Sequence, residues 1–310
     1  MRALVTGAGG FVGRHLVAAL RGDGWVTFAA GGPSDENVET RLDLANRKSL
    51  DEALGAARPD VVFHLAAQSF IPQSLRAPTE TYEVNVTGTV ALSSAMRAYA
   101  QQERMPRLLF ASSSEVYGAR DPSEMPLRET LAPEPRNPYA ASKAAAEGLL
   151  LGEMHALGGD VVITRGFNHI GPGQDARFAV ASFAHDLARI AAGGEPVLLV
   201  GNLDAQRDVL DVRDVVRAYV ALAKSGGRGE IYNVCRGSAV AIRDLVGALV
   251  RIARVPVQIR TDPARLRPAD VPLLVGSNAK LAAVTGWEPK VPLEQSLRDI
   301  YDDARNRLGS

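Results

Sequence analysis

Short apolar runs alternate with amphipathic stretches through the first half of the chain. Residues 2–6, 25–29, 61–65, 108–112 and 161–164 read as strands. Between them, residues 11–21 carry Val12, Leu16, Val17 and Leu20 on one helical stripe. Further helices are predicted over about 47–57, 79–101 and 138–157. Strands that alternate with helices predict parallel pairing through right-handed crossovers. Continuous apolar strands suit a sheet covered on both faces. The expectation is an α/β fold with a doubly wound parallel sheet of Rossmann type.

The pattern changes after residue 165. Gly171-Pro-Gly173 and Gly193-Gly194 mark loops. A strand-helix unit returns at about 208–225, with another strand at 231–235. Helices are predicted near 241–253, 277–284 and 293–307. This divides the chain into a dinucleotide-binding domain, 1–165 plus about 208–236, and a smaller C-terminal lobe. The lobe comprises about 166–207 plus 237–308.

Composition excludes several function classes. Lys plus Arg and Asp plus Glu both number 35, so no basic excess points to nucleic acid. No apolar run approaches the ~18 residues of a membrane span. The single cysteine, Cys235, sits in an apolar strand pattern and reads as inert packing. No disulfide is possible within the chain, which fits a reducing compartment. A strand pattern that begins at once after Met1 makes the cytoplasm the expected location.

Thr6-Gly7-Ala8-Gly9-Gly10-Phe11-Val12-Gly13 joins the first strand to the first helix. Gly7 permits a tight turn, Gly10 lets backbone approach a pyrophosphate, and Gly13 lets helix pack on strand. The helix start then offers free N–H groups and a positive dipole end. Farther on, Tyr139-Ala-Ala-Ser-Lys143 sets a phenol and an ammonium one helical turn apart. A nearby cation is expected to lower the phenol's pKa and fit it for proton transfer. Ala111-Ser-Ser-Ser-Glu-Val-Tyr-Gly118 closes a strand at the carboxyl edge of the sheet, where such folds bind ligands.

Taken together, these motifs resemble the short-chain dehydrogenase/reductase superfamily. The G-x-x-G-x-x-G spacing, Tyr139 and Lys143 carry the resemblance. It implies an NAD- or NADP-binding site at Gly7, Gly10, Phe11, Val12, Gly13, Asp43, Leu44, Leu65, Ala66 and Ala67, with Tyr139 and Lys143 also touching the cofactor. It selects Ser113 as the third catalytic residue, beside Ser114. Asn85 resembles the family's structural asparagine. His64 reads as a satisfied core histidine. Ala29-Ala-Gly-Gly-Pro-Ser34 carries neither the acid that suits NAD nor the arginine that suits NADP. Asp35 and Glu36 come later than the pattern expects, so the choice stays open.

The second half resembles the extended, nucleotide-sugar branch of that superfamily. Arg165-Gly-Phe-Asn-His-Ile-Gly-Pro-Gly-Gln174, Gly201-Asn-Leu-Asp-Ala-Gln-Arg-Asp208, Asp211-Val-Arg-Asp214 and Leu266-Arg-Pro-Ala-Asp270 carry this likeness. The run is similar to GDP-4-keto-6-deoxy-D-mannose reductases over essentially the whole chain. That implies reduction of a GDP- or other NDP-linked 4-keto-6-deoxy sugar at C4, with GDP-D-rhamnose as product, in a homodimer. Asn168, Arg207 and Arg267 would hold the nucleotide sugar, Arg forks being suited to phosphate oxygens. Glu115, beside Ser114, keeps a GDP-mannose-type 4,6-dehydratase open, in which it would act as a base. A 4-epimerase is a further alternative on the same scaffold. Outside enzymology, a nucleotide-sensing binding protein is the alternative, although such a protein would have lost part of the Ser–Tyr–Lys set. No metal is expected.

Overall fold

The computed structural model describes residues 1–32, 35, 38–266 and 271–309. The first half holds β1 (Arg2–Thr6), α1 (Phe11–Gly22), β2 (Val26–Gly31), β3 (Thr40–Arg41), α2 (Arg47–Ala57) and β4 (Val61–His64). There follow α3 (Ile71–Arg76), α4 (Pro78–Tyr82), α5 (Gly88–Tyr99), β5 (Arg107–Ser113), α6 (Pro138–Leu157) and β6 (Val161–Gly166). The second half runs β7 (Asn168–Ile170), α7 (Ala179–Ala191), β8 (Val197–Val200), β9 (Gln206–Asp211), α8 (Val212–Ser225) and β10 (Ile231–Val234). It ends with β11 (Ala239–Ala241), α9 (Ile242–Ala253), β12 (Gln258–Thr261), β13 (Leu273–Leu274), α10 (Ala279–Thr285) and α11 (Leu293–Gly309).

A seven-stranded parallel sheet runs in the order β10-β6-β5-β4-β1-β2-β3 among the described residues. The order reverses beside β1, between β4 and β2, which is where doubly wound sheets bind ligands. Two apolar layers cover the sheet. One packs α1 and α8 on its first face through Leu16, Leu20, Val216 and Tyr219. The other packs α2, α5 and α6 on its second face through Leu54, Leu92, Met96 and Leu150. Two covered faces explain why the strands are apolar without alternation.

A smaller sheet orders β11-β9-β13, with β7 also paired to β9. A two-stranded parallel pair, β8 with β12, stands beside it. Its own core joins α7, α9 and α11 through Phe183, Leu187, Leu245, Leu249, Leu297 and Tyr301. The strand expected near 208 therefore pairs in the smaller sheet, while the α8 helix that follows it packs on the large one.

The expected helix over 79–101 is α4 and α5 joined through a π-helical turn, Glu83–Thr87. Buried Asn85 sits in that turn. Its amide accepts the Gln68 N–H at 2.8 Å and donates to the Gln68 carbonyl and the Ser142 hydroxyl at 2.9 Å each. It thereby ties the loop after β4 to the start of α6. Helix α7 was not expected from the sequence, although its apolar residues face one core.

Candidate functional site

The glycine turn forms as its spacing requires. Gly7 has φ +69°, a conformation glycine adopts freely, and a Cβ there would meet the Ala66 nitrogen at 2.7 Å. The segment Leu65–Ala67 after β4 therefore lies directly against the turn. At Gly13 a Cβ would stand 2.2 Å from the Gly7 carbonyl, so helix and turn pack with no side chain between them. A Cβ on Gly10 would meet the Gly7 carbonyl alone, at 3.2 Å, leaving its other side open to an approaching group. Helix α1 begins there with no side-chain cap and no acid in its first turn. Its N–H groups and dipole suit an anion such as a pyrophosphate. Phe11 and Val12 are half-buried at this opening turn. Arg14 braces the turn by donating to the Gly9 and Gly173 carbonyls at 2.7 and 3.0 Å.

Asp43 is exposed and accepts the Ala45 N–H at 2.9 Å, and half-buried Leu44 packs against Gly88. Both flank the β2–β3 edge, within the region expected for the adenine end. Asp35 comes later in the chain than the cofactor pattern expects. The chain folds it back: its carboxylate accepts the Gly32 N–H at 2.8 Å and lies over Gly9 and Gly31. An acid therefore faces the glycine turn after all. Glu36 lies outside the described residues.

Tyr139, Lys143 and Ser113 come together at the carboxyl edge of β5. Asn137 caps α6 by accepting the Ala140 N–H at 2.8 Å, which starts the helix just before Pro138 and Tyr139. Tyr139 is buried and hydrogen-bonded with Ser113. Lys143 is buried as well; its ammonium donates to the Ala111 carbonyl at 2.7 Å and lies 4.7 Å from the Phe110 ring centre.

One expectation fails here. The phenol of Tyr139 is not lowered but pushed up to about 12, because burial outweighs the Ser113 hydrogen bond and Glu115 adds a nearby negative charge. Lys143 is aimed at Ala111 rather than at the phenol. Burial instead lowers Lys143 to about 8, against the pull of Glu147. A phenol held protonated is a proton donor, the form needed to neutralise an alkoxide.

Glu115 accepts the Asn137 amide at 3.1 Å, so it is fixed beside Tyr139. Ser114 is buried next to it. The register sets Ser113 against Gly166 at the end of β6, and Asn168 lies two residues beyond, exposed. Asn168 pairs with Val209 on β9, one same-face position from Arg207. Arg207 donates to the Val271 carbonyl at 2.6 Å. Thus Asn168 and Arg207 are neighbours on the rim of the smaller lobe. Arg267 lies outside the described residues.

His64 behaves as expected of a satisfied core group: its ring nitrogens meet the Thr6 and Thr89 hydroxyls at 2.8 and 3.0 Å. Burial first, then Lys143, lowers it to about 3, so it stays neutral. Cys235 is buried, and burial raises its thiol. Among the described residues no cluster of His, Cys, Asp or Glu is arranged to hold a metal, and no helix is long and apolar enough to cross a membrane.

The geometry has counterparts among known proteins. The family model described as GDP-mannose 4,6 dehydratase matches residues 4–300. The chain belongs to this family. It lies in the extended, nucleotide-sugar branch of the short-chain dehydrogenases/reductases, as its motifs imply. Family members differ in reaction. A GDP-6-deoxy-D-mannose reductase of Pseudomonas aeruginosa is 41% identical over 99% of this chain and 98% of its own length. A solved structure of RMD from Pseudomonas aeruginosa, complexed with NADPH, superposes with a TM-score of 0.90 at 40% identity, covering 99% of this chain and 100% of that one. A Thermus thermophilus UDP-glucose 4-epimerase, complexed with NAD, gives 0.87 at 32% identity, over 98% of this chain and 99% of that one.

Proposed function

We propose that this enzyme reduces a nucleotide-linked 4-keto-6-deoxy sugar at C4, GDP-4-keto-6-deoxy-D-mannose being the first choice and GDP-D-rhamnose the product. The observation that carries this reading is the buried Tyr139 phenol next to Ser113, in a chain 41% identical to a GDP-6-deoxy-D-mannose reductase.

The glycine turn and the uncapped start of α1 fit a dinucleotide pyrophosphate. Gly7, Gly10, Phe11, Val12 and Gly13 would line it, Asp43, Leu44 and Leu65–Ala67 its adenosine side, and Tyr139 and Lys143 its nicotinamide side. When bound, NAD(P)H supplies the hydride that reduces C4. Ser113 hydrogen-bonds the sugar's 4-oxo oxygen and Tyr139 gives that oxygen its proton. Lys143 keeps a cation behind them. Ser114 and Glu115 line the same pocket. Asn168, Arg207 and Arg267 receive the nucleotide diphosphate, Arg207 offering a planar fork to phosphate oxygens. The large sheet with its helices forms the cofactor lobe and the smaller sheet with α7, α9 and α11 the sugar-nucleotide lobe.

A second reading is favoured by Glu115, held beside the phenol by Asn137 at 3.1 Å. In it Glu115 would take the ring proton at C5 of the C4-oxidised sugar as the C6 hydroxyl leaves as water, and the enzyme would be a 4,6-dehydratase. A panel assay separates the readings: GDP-4-keto-6-deoxy-mannose with NADH or NADPH, and GDP-mannose and UDP-glucose each with NAD+ or NADP+. Oxidation of the cofactor with the keto sugar supports the reductase. Turnover of GDP-mannose without that oxidation overturns it.

Asp35 bears on the cofactor. A carboxylate facing the glycine turn accepts ribose hydroxyls and repels a 2′-phosphate. Asp35→Asn is expected to tighten NADPH binding relative to NADH by roughly tenfold, the size of one lost charge repulsion. Fluorescence titration of both cofactors measures that ratio.

A cytoplasmic homodimer completes the proposal. Tyr82, Leu149 and Leu157 are exposed apolar side chains on the α4–α5 and α6 helices, and they would be covered by a second copy.

A further inference from the structure

Helix α6 meets the end of β5 at three successive turns. Tyr139 bonds with Ser113, Lys143 donates to the Ala111 carbonyl, and Glu147 accepts the Ser112 hydroxyl. Ser112 is aligned with Arg165 on β6, and both face α6. Arg165 grips Glu147 with two nitrogens, Nε at 3.1 Å from Oε1 and a terminal nitrogen at 2.7 Å from Oε2. Glu147 and Arg165 are 3% and 2% exposed, so the pair is fully desolvated. The guanidinium also covers the Tyr117 ring at 4.7 Å, and the Tyr117 hydroxyl donates to Asn233 at 2.7 Å.

Folding stability does not call for such a pair. Well-packed apolar residues of similar volume usually serve as well or better, because desolvating two charges offsets their attraction. The position of the pair suggests another use. Its acid stands one turn from the buried ammonium of Lys143, where i and i+4 side chains are neighbours.

We propose that Glu147 is a positioning residue of the catalytic centre: it holds the positive charge on buried Lys143 and, through Ser112, the end of β5 that presents Ser113. The groups around Lys143 fit this role. His64, from β4, is neutral and contributes no charge. Tyr139 is protonated. Arg165, from β6, stays a cation that holds Glu147 through two nitrogens and is not among the groups that shift Lys143. Glu147 is the carboxylate that raises Lys143 against burial. Without it, the ammonium in its apolar site would lose its proton more readily. The inference rests on the Ser–Tyr–Lys centre proposed above.

The test uses the protein without cofactor or substrate, so it stands apart from the identity of the sugar. Lys143 has a pKa of about 8 in the fold against 10.5 for a free lysine. Between these values the unfolded chain binds more protons than the native one, so stability rises with pH across that window. Glu147→Gln lowers the native value and leaves the unfolded one unchanged. The rise should therefore begin at lower pH, by about one unit, in urea unfolding curves compared with wild type. If Glu147→Gln does not fold, Glu147→Gln/Arg165→Met removes both charges together and should shift the onset in the same direction.

The pH profile of reduction gives a second readout. Its alkaline limb should move down with Glu147→Gln and stay in place with Ser112→Ala, which keeps every charge. An unchanged onset in the foldable variant, or an equal shift in Ser112→Ala, overturns the proposal.

Discussion

Tyr139→Phe should abolish reduction of the keto sugar while leaving cofactor binding in place. The loss expected is about 10²–10⁴-fold in kcat, the usual worth of a positioned proton donor. Phe fills the same buried space, so the change removes one hydroxyl and its bond with Ser113. Folding should lose only ~1 kcal/mol, the net value of one hydrogen bond. Dissociation constants for NADH or NADPH should change by less than about threefold, because the loss belongs to the transition state rather than to binding. Stopped-flow turnover and fluorescence titration separate the two quantities. In the wild-type protein, a phenol at about 12 stays protonated across the working range, so the alkaline decline should follow Lys143, near 8. Full turnover by the Phe variant would remove Tyr139 from the mechanism.

Arg165→Met should cause the largest loss of stability. It leaves Glu147 inside the protein without its partner, and breaking a buried pair from one side costs about 3–5 kcal/mol. Restoring neutrality with Glu147→Gln in the same chain should recover most of that loss. The recovery would be non-additive, as contacting residues are. Urea unfolding of wild type, both single variants and the double variant yields the coupling. Equal destabilisation by the single and double variants would mean that the pair does not act as a unit.

The large sheet could be read from the sequence because its elements are long and periodic. Helix α2 was expected at its observed limits, Arg47–Ala57, where Leu50, Ala53, Leu54 and Ala57 form one buried stripe. The Gly7-Gly10-Gly13 spacing identified the turn because each glycine meets a separate steric demand. Tyr139 and Lys143 were legible as a pair since helical spacing puts them on one face.

In the smaller lobe, helices α9, α10 and α11 lie within two residues of their expected limits, but most of the strands were not legible. Its strands have two to six residues, and β8 pairs with β12, some sixty residues away, by contacts no local pattern announces. Helix α7 did carry a signal: Val180, Phe183, Ala184, Leu187 and Ala188 recur at helical spacing. Gly171-Pro-Gly173 and Gly193-Gly194 flank it, and such residues mark loops.

Two features of the site depended on three-dimensional context. Asp35 returns to the glycine turn because its carboxylate caps the Gly32 N–H, a contact across a turn that the strand count could not anticipate. The direction of Lys143 is set by the Ala111 carbonyl and by desolvation, so the residue that was expected to acidify Tyr139 is itself shifted. The buried Glu147–Arg165 pair follows the same rule. Glu147 continues the Tyr139–Lys143 spacing by one more turn, but its partner comes from β6, nearly twenty residues on.

The central claim is that hydride reaches C4 of a 4-keto-6-deoxy sugar nucleotide while Tyr139 protonates the oxygen. Isotope transfer tests it most directly. The purified enzyme is incubated with GDP-4-keto-6-deoxy-mannose and a cofactor deuterated at nicotinamide C4 on one face, and the product is read by NMR. For one of the two deuterated faces, the account predicts deuterium at sugar C4 and nowhere else on the ring, with cofactor oxidised in equal amount. A product with no deuterium at C4 from either face, or keto sugar and cofactor both left unconsumed, would contradict it.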